Sequence, residues 1–401
     1  METKLYEKKE KEGTMNGRRN KLVFISDLHM NNHFSFSPQG DGYSHAYAWL
    51  NKNIPAVTAF LNWLGEREDV AELIILGDLF DGWLCPMHHI PTMDFMDILT
   101  APENGPIVTA LKSLCRKTSG VKVSYVPGNH DMLISNIFTP ANGFDSFNFL
   151  DTAPGMGLYQ RDEVIFAEHG SRYCLFNAPD TWSHPNSHLP EGFFITRLGA
   201  EYTARVGTML DLMEVLQGMI KTGLKETLPG EFFEAIKGTT IRADDTFLMN
   251  GLDGFSPDPT CTDVLEYYEA IYKKWNQRQD VVPREIAPVD DVGTLVPAAS
   301  WIFLTGKPYS PKILIFGHTH NFGLHGFHSI LGREETSSPC KEYKHIYANT
   351  GTWIDGKVCT YIEVEDNGSE GSYYVRGYSF EDAQHQTLRD EGCIRTDSQG
   401  C

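Results

Sequence analysis

Carboxylate, amide and imidazole side chains recur in short clusters along the chain. Aspartate oxygens and imidazole nitrogens are common ligands of divalent transition metals such as Mn, Fe or Zn. These residue types therefore predict a metal site if the fold brings the clusters together. The clusters contain Asp27, His29, Asp78, Asp81, Asn129, His130, His169, His318 and His320.

Two of the clusters place potential ligands two residues apart. Asp27 and His29 have this spacing, and so do His318 and His320. Residues two apart in an extended segment project to the same face, so both members of a pair can reach one ion. Asp78 is the natural bridge between two ions, because each carboxylate oxygen can bind one of them. Two neighbouring ions suit phosphoryl chemistry, since they lower the pKa of a bridging water and hold phosphate oxygens in line.

A phosphoester cleavage also needs a group that assists the leaving oxygen. His130 directly follows Asn129, and it is placed to donate a proton or to stabilise charge in the transition state. Glycines adjoin several of the clusters, at positions such as Gly77 and Gly128. They allow the backbone to turn sharply and to approach the ions closely.

A short apolar run of strand length precedes each cluster. Amphipathic helical spacing lies between several of these runs, for example at Ala56, Phe60 and Leu64. This alternation predicts an α/β layered fold, in which ligands bind outside the carboxyl ends of the strands. The apolar runs cover residues 21–26, 72–76, 121–126, 164–167 and 312–316.

The remaining segments predict the domain organisation. Residues 21–380 form the main domain, between a flexible tail at 1–20 and a polar tail at 381–401. Apolar residues at helical spacing between about 178 and 300, including Ile195 and Val264, predict an inserted, mainly helical cap. Strand patterns without intervening helices predict a contribution to a second sheet at residues 345–348, 358–364 and 373–378.

Composition restricts the class of partner. The chain has 401 residues, 41% of them hydrophobic, and a formal net charge of -19. An acidic surface repels polyanions, which argues against extended nucleic acid and leaves a small or medium phosphate-containing substrate. The polar N-terminal residues and the absence of a long apolar run predict a soluble cytoplasmic protein. The sequence establishes neither a membrane contact nor an oligomeric state.

The clusters resemble, in order, the five sequence blocks of the calcineurin-like metallophosphoesterases. The resemblance implies a four-layer α/β/β/α sandwich that carries the helical cap as an insertion. It also implies two divalent metal ions, with Mn expected and Fe, Zn, Co or Ni as alternatives. The blocks are DLH at 27–29, GDLFD at 77–81, GNHD at 128–131, HG at 169–170 and GHTH at 317–320.

The resemblance also assigns the ligands residue by residue. His130 takes the role of the acid or of the partner for transition-state charge, and Asp81 orients the site without binding metal. Asp78 bridges the two ions. One ion then takes Asp27, His29, Asp78 and His320, and the other takes Asp78, Asn129, His169 and His318.

Within this superfamily, the chain looks most like the branch that contains UDP-2,3-diacylglucosamine pyrophosphohydrolases. The similar stretches are LGDLFDGW, HGSRYCLFN and the helical insertion. Members of that branch often carry arginine directly after the metal-binding asparagine, whereas this chain has His130. The resemblance favours cleavage of a phosphodiester or pyrophosphate. A phosphomonoesterase or protein phosphatase remains an alternative, as does a metal-free scaffold on the same fold.

Overall fold

The computed structural model describes most of the chain, with gaps. Of residues 203–206 only the backbone is described. The described ranges are 19–31, 49–91, 95–116, 118–151, 153–180, 187–206, 241–288, 294–328, 341–367 and 371–396.

Within these ranges, strands and helices alternate in the first part of the chain, and strands follow one another at the end. Short 3-10 turns occur at Pro102–Asn104, Pro140–Asn142, Ser171–Tyr173, Leu252–Gly254 and Trp275–Gln277. The helices are α1 (Ile54–Glu66), α2 (Phe95–Thr100), α3 (Gly105–Leu114), α4 (Glu191–Val206), α5 (Cys261–Lys274) and α6 (Val296–Thr305). The strands are β1 (Lys21–Ile25), β2 (Val70–Leu76), β3 (Lys122–Val126), β4 (Phe147–Phe149), β5 (Tyr159–Arg161), β6 (Ile165–Ala167), β7 (Ile313–Phe316), β8 (Gly323–Phe327), β9 (His345–Asn349), β10 (Thr360–Asn367), β11 (Ser372–Phe380) and β12 (Gln386–Arg395).

Helix α1 shows how the sequence pattern produces an element. Pro55 stands in its first turn, where a missing backbone N–H costs nothing. Val57, Phe60, Leu61 and Leu64 are buried along one side, which is the spacing of a single helical face. The predicted helix before the second strand is therefore confirmed.

The strands form two sheets. The larger has the order β12-β11-β10-β1-β2-β3-β4, and the smaller has the order β5-β6-β7-β9-β8. Strands β1 to β4 pair in parallel, as do β6, β7 and β9. Parallel neighbours end at the same edge of a sheet, so the polar clusters that follow β1, β2 and β3 emerge side by side.

Among the described residues, three large hydrophobic cores lie between the sheets and helices. Leu22 and Phe24 of β1 belong to a core shared by both sheets, together with Ile313 of β7. Val23 and Ile25 point to the other face and pack with residues of α1 to α3, as the two-residue period of a strand requires. A third core joins the smaller sheet to residues of α4 to α6. The mixed α/β fold with two sheets is confirmed, whereas the four-layer order stays a prediction.

The C-terminal strands were predicted only in part. Strands β9, β10 and β11 are confirmed near residues 345–348, 358–364 and 373–378. The second-sheet prediction holds only for β9, because β10 and β11 extend the larger sheet next to β1. The prediction of a polar tail over 381–401 is wrong for β12, which pairs antiparallel with β11 along its length. Most of β12 is polar and exposed, so its sequence lacks a strand pattern, but Ile394 is buried in the core between the sheets.

The outer parts of the predicted organisation are described incompletely. Residues 1–18 of the predicted tail lie outside the described residues, but Arg19 Nη1 donates to the Val70 carbonyl at 2.7 Å. Helices α4 and α5 and part of α6 lie in the predicted cap, whereas 181–186, 207–240 and 289–293 are not described. The cap stays a prediction, as does the cytoplasmic location. No helix in the described ranges combines the length and apolarity of a membrane span.

Candidate metal centre

The clusters meet at one end of the two sheets. Three groups of side chains bring potential ligand atoms within 4.8 Å of one another. Asp78 and His29 each belong to two of these groups, so the groups form one continuous centre. The groups are Asp27, His29 and His320; His29, Asp78 and His130; and Asp78, His169 and His318.

The backbone of these loops is left-handed at several positions that carry acidic or imidazole side chains. Asp27, His29, Asp78, His318 and His320 have φ between 49° and 69°. Residues other than glycine rarely adopt this conformation, and such strain clusters at functional sites. The expectation of extended segments at 27–29 and 318–320 is therefore wrong. Asp27 and His29 fall in one group of potential ligands, whereas His318 and His320 fall in two different groups.

One half of the centre gathers around Asp27 and His29. The Nε2 atoms of His29 and His320 are 3.1 Å apart. His320 Nε2 lies 3.3 Å from Oδ1 of Asp27, and His29 Nε2 lies 3.7 Å from Oδ2 of Asp78. Two imidazole nitrogens and two carboxylates thus face the same small space.

The other half gathers around Asp78 and His169. His169 Nε2 is 3.2 Å from Oδ2 of Asp78 and 2.9 Å from Oδ1 of Asn129. Its Nδ1 lies 2.7 Å from the Leu76 carbonyl, which directs Nε2 toward the centre by fixing the ring. The rings of His169 and His318 have centroids 5.1 Å apart.

Asp81 links the centre to His130. Its two oxygens lie 3.1 Å from Nδ1 of His29 and 3.0 Å from Nδ1 of His130. The Trp83 backbone N–H also donates to Asp81, at 3.0 Å. The His130 ring stacks on the Trp83 indole with centroids 4.2 Å apart. One buried carboxylate therefore orients two imidazoles.

The charges of the centre shift the pKa values of its carboxylates downward. Burial alone raises the pKa of Asp27, but the neighbouring imidazoles of His29 and His320 hold it well below its usual range. Burial also opposes ionisation of Asp78, yet the positive charge of His169 lowers its pKa. Both carboxylates are therefore ionised, which is the form that binds a cation.

The pKa values of His169 and His318 shift in opposite directions. Burial lowers the pKa of His169, but the Asp78 carboxylate outweighs it and raises that pKa to about 9. The pKa of His318 falls well below its usual range because of burial and the nearby charge of His169. Burial and the charge of His169 therefore favour the neutral form of His318.

The donor set fits divalent metal ions. Among the described residues, Oδ1 of Asp27 and Nε2 of His318 are buried without a hydrogen-bond partner. A buried polar atom without a partner is costly unless an ion or water satisfies it. Carboxylate, amide and imidazole donors together suit Mn, Fe, Zn, Co or Ni.

Close backbone packing holds the loops together. The Asp131 carboxylate accepts hydrogen bonds from the Gly128 N–H at 2.6 Å and the Phe80 N–H at 3.1 Å. A Cβ atom at Gly128 would overlap the Asp78 carboxylate. The backbone at Gly128 therefore lies close against the Asp78 carboxylate.

Several residues of the centre were missed by sequence reasoning. The indole of Trp49 has its centroid 4.6 Å from that of His29 and 5.8 Å from that of His320. Asn349 donates to the Gly317 carbonyl at 2.6 Å and so supports the last cluster. Neither residue lies in a motif, so nothing in the sequence singled it out.

Comparisons with known proteins agree with this geometry. The profile described as calcineurin-like phosphoesterase matches residues 21–205. A UDP-2,3-diacylglucosamine hydrolase of Enterobacter sp. (strain 638) is 32% identical over 159 residues, covering 38% of this chain and 48% of that protein. The chain thus spans about half the length of that relative.

Two further comparisons are weaker. A UDP-2,3-diacylglucosamine hydrolase of Stenotrophomonas maltophilia (strain K279a) is 25% identical over 233 residues, covering 58% of this chain and 78% of that protein. The crystal structure of Chaetomium thermophilum Vps29 overlaps 95% of this chain and 98% of that one, but with a TM-score of 0.31 and 9% identity. That structural overlap carries no argument. Over residues 21–205, and in the order of its motifs, the chain is similar to the calcineurin-like phosphoesterases.

Proposed function

We propose that this chain is a metal-dependent hydrolase that cleaves a phosphodiester or pyrophosphate bond. The observation that carries the proposal is the shared position of Asp78. Its carboxylate belongs to the ligand group with His29 and to the group with His169 and His318. A carboxylate between two sets of donors is what a pair of neighbouring ions requires.

The residues divide into two sets of ligands around Asp78. When bound, two divalent ions, with Mn expected, would supply an activated water and offset the charge of the phosphate oxygens. Asp27, His29, Asp78 and His320 would hold one ion, and Asp78, Asn129, His169 and His318 would hold the other.

His130 assists the leaving group in this proposal. Its Nδ1 is engaged by Asp81, and its ring is packed against Trp83, so the imidazole is held in one orientation. A fixed imidazole can donate a proton to the leaving oxygen or stabilise the charge that develops there. Asp81 contributes by orientation, because both of its oxygens are occupied by His29 and His130.

The substrate that we propose is a small or medium molecule with a phosphodiester or pyrophosphate. The relatives from Enterobacter and Stenotrophomonas are named for UDP-2,3-diacylglucosamine, and UDP-linked compounds contain a pyrophosphate. The net charge of -19 argues against a long polyanion such as nucleic acid.

Metal-dependent turnover tests the proposal directly. The chain would be stripped of metal, reloaded with Mn and assayed on bis-p-nitrophenyl phosphate and p-nitrophenyl phosphate. Asp78→Asn removes one anionic oxygen from the shared ligand, whereas Asp69→Asn alters a partly exposed carboxylate in a surface ion pair.

The proposal predicts Mn-dependent cleavage of the diester that Asp78→Asn abolishes and Asp69→Asn retains. Cleavage of the monoester alone would show a phosphomonoesterase and contradict the proposed bond. Inactivity toward both probes with two metals bound leads to an assay on UDP-linked pyrophosphates. A chain that binds no metal and cleaves none of these compounds would be a scaffold on this fold.

A further inference from the structure

Arg197 of helix α4 is buried and lies outside every sequence motif. It is 0% exposed. Its guanidinium lies within 2.5–3.2 Å of five backbone carbonyl oxygens. Nε donates to one of these acceptors, and the two N–H groups of Nη2 share the other four. These acceptors are the carbonyls of Cys85, Pro86, Met87, His89 and Leu248.

Most of these carbonyls belong to one loop. Residues 82–91, which we name the Trp83 loop, directly follow Asp81 and contain no helix or strand. Four of the five carbonyls near Arg197 lie in this loop. Without regular secondary structure, the loop depends on such contacts for its conformation. Arg197 therefore holds the loop from the side of the helical segment.

Side chains form a second route from Arg197 to the same place. The guanidinium carbon lies 5.3 Å from the ring centroid of Phe193. Phe193 packs edge-on against Trp83 with centroids 5.9 Å apart. Trp83 stacks on His130 at 4.2 Å. Each step is a direct contact between buried rings, so a shift at Arg197 reaches the imidazole without crossing solvent.

We propose that Arg197 is a positioning residue for His130 and acts through the Trp83 loop. The helical segment then does more than cover the site, because it sets the orientation of the group that assists the leaving oxygen. This inference rests on the proposed function for its catalytic consequence. Its structural part, the dependence of Trp83 packing on Arg197, does not.

Arg197→Lys tests the proposal with the charge retained. An ammonium is a single point of charge on a flexible stem, so it cannot reproduce the planar contacts that Nε and Nη2 make with the same carbonyls. We expect kcat for the diester to fall roughly tenfold or more, with KM and bound metal per chain little changed. We also expect acrylamide to quench Trp83 fluorescence more strongly, since Trp83 is only 1% exposed in the intact protein. Subtracting the emission of a Trp83→Phe variant isolates the Trp83 contribution.

Arg278→Lys is the matched control. Arg278 is also buried, donates to the Pro179 carbonyl at 3.1 Å and pairs with Asp280 at 2.7 Å. The change weakens the same part of the fold without touching the Trp83 loop, so kcat and Trp83 quenching should stay as in the unmodified chain. Equal losses in both variants would overturn the proposal. An unchanged kcat in Arg197→Lys would do the same.

Two additional measurements keep the test decisive. If Arg197→Lys fails to fold, Phe193→Leu interrupts the side-chain route and should give the same loss of kcat. In a cycle with Trp83→Leu, the double variant should lose no more than about twofold beyond the single variants, because both act on one path. If the losses of kcat in the two single variants multiply in the double variant, Arg197 and Trp83 do not act on one path. If the unmodified chain cleaves no phosphoester, the proposed function fails, and quenching alone decides whether Arg197 positions Trp83.

Discussion

Asp81 and His130 are joined by a contact of 3.0 Å between a carboxylate oxygen and Nδ1 of the imidazole. The second oxygen of Asp81 lies 3.1 Å from Nδ1 of His29. His29 and His130 share a group of potential metal ligands with Asp78, and His130 also stacks on Trp83. The same carboxylate therefore couples the orientation of a predicted ligand to that of the predicted acid.

Replacing Asp81 should reduce turnover more than it reduces folding. In Asp81→Asn the side chain keeps its shape, but its amide nitrogen cannot accept a hydrogen bond from an imidazole N–H. One of the two rings loses its partner, and we expect kcat to fall roughly tenfold to a hundredfold. Steady-state assays with Mn and metal analysis would measure this. Wild-type kcat in Asp81→Asn would contradict an orienting role.

The approach of Gly128 to Asp78 makes a second prediction. A methyl group at Gly128 would overlap the Asp78 carboxylate and backbone nitrogen, so Gly128→Ala should displace the shared ligand and lower the bound metal per chain. Gly105→Ala is the control, because nothing lies within 4 Å of a Cβ atom at that position. Metal analysis after dialysis would compare them. Full metal content in Gly128→Ala would show that the loop can shift enough to accommodate the added methyl group.

Strand β12 can be tested by its buried residue. Ile394 is 1% exposed and lies in the core between the sheets, whereas Leu388 on the same strand is 46% exposed. We expect Ile394→Ala to lower the free energy of unfolding by about 2–5 kcal/mol and Leu388→Ala by less than about 0.5 kcal/mol. Urea denaturation would measure both. Equal, small effects would restore the view of this segment as a loose tail.

Asp355 connects the C-terminal half to helix α1. Its carboxylate accepts hydrogen bonds from the backbone N–H groups of Asn51, Lys52 and Asn53 at 2.8–3.1 Å. These donors precede α1, so Asp355→Ala should cost about 0.5–2 kcal/mol of stability, as the loss of a helix cap does.

Asp355→Asn is the matched variant, since its amide oxygen still accepts. It should lose less stability than Asp355→Ala in urea denaturation, and both should bind the same amount of metal. An equal loss in the two variants would show that the negative charge, not the hydrogen bonds, stabilises this junction.

Much of the fold followed from local patterns. Apolar runs of strand length predicted β1, β2, β3, β6 and β7 because buried parallel strands are continuously apolar. Apolar residues at helical spacing, such as Phe60 and Leu64, predicted α1 because one face of that helix is buried. Strand β12 was not predicted because its residues are mostly polar. It forms through its antiparallel pairing with β11. Edge strands of this kind are specified by their neighbours.

The sequence by itself determined which residue types stand at the ends of the strands, and their order made the chain similar to the calcineurin-like phosphoesterases. It therefore named Asp27, Asp78, His169 and their companions before any contact was known. Only the tertiary structure decided that the loops turn left-handed at Asp27 and Asp78, and that Arg197 reaches the Trp83 loop. Those features depend on contacts between residues distant in sequence. Short-range spacing and hydropathy carry no information about them.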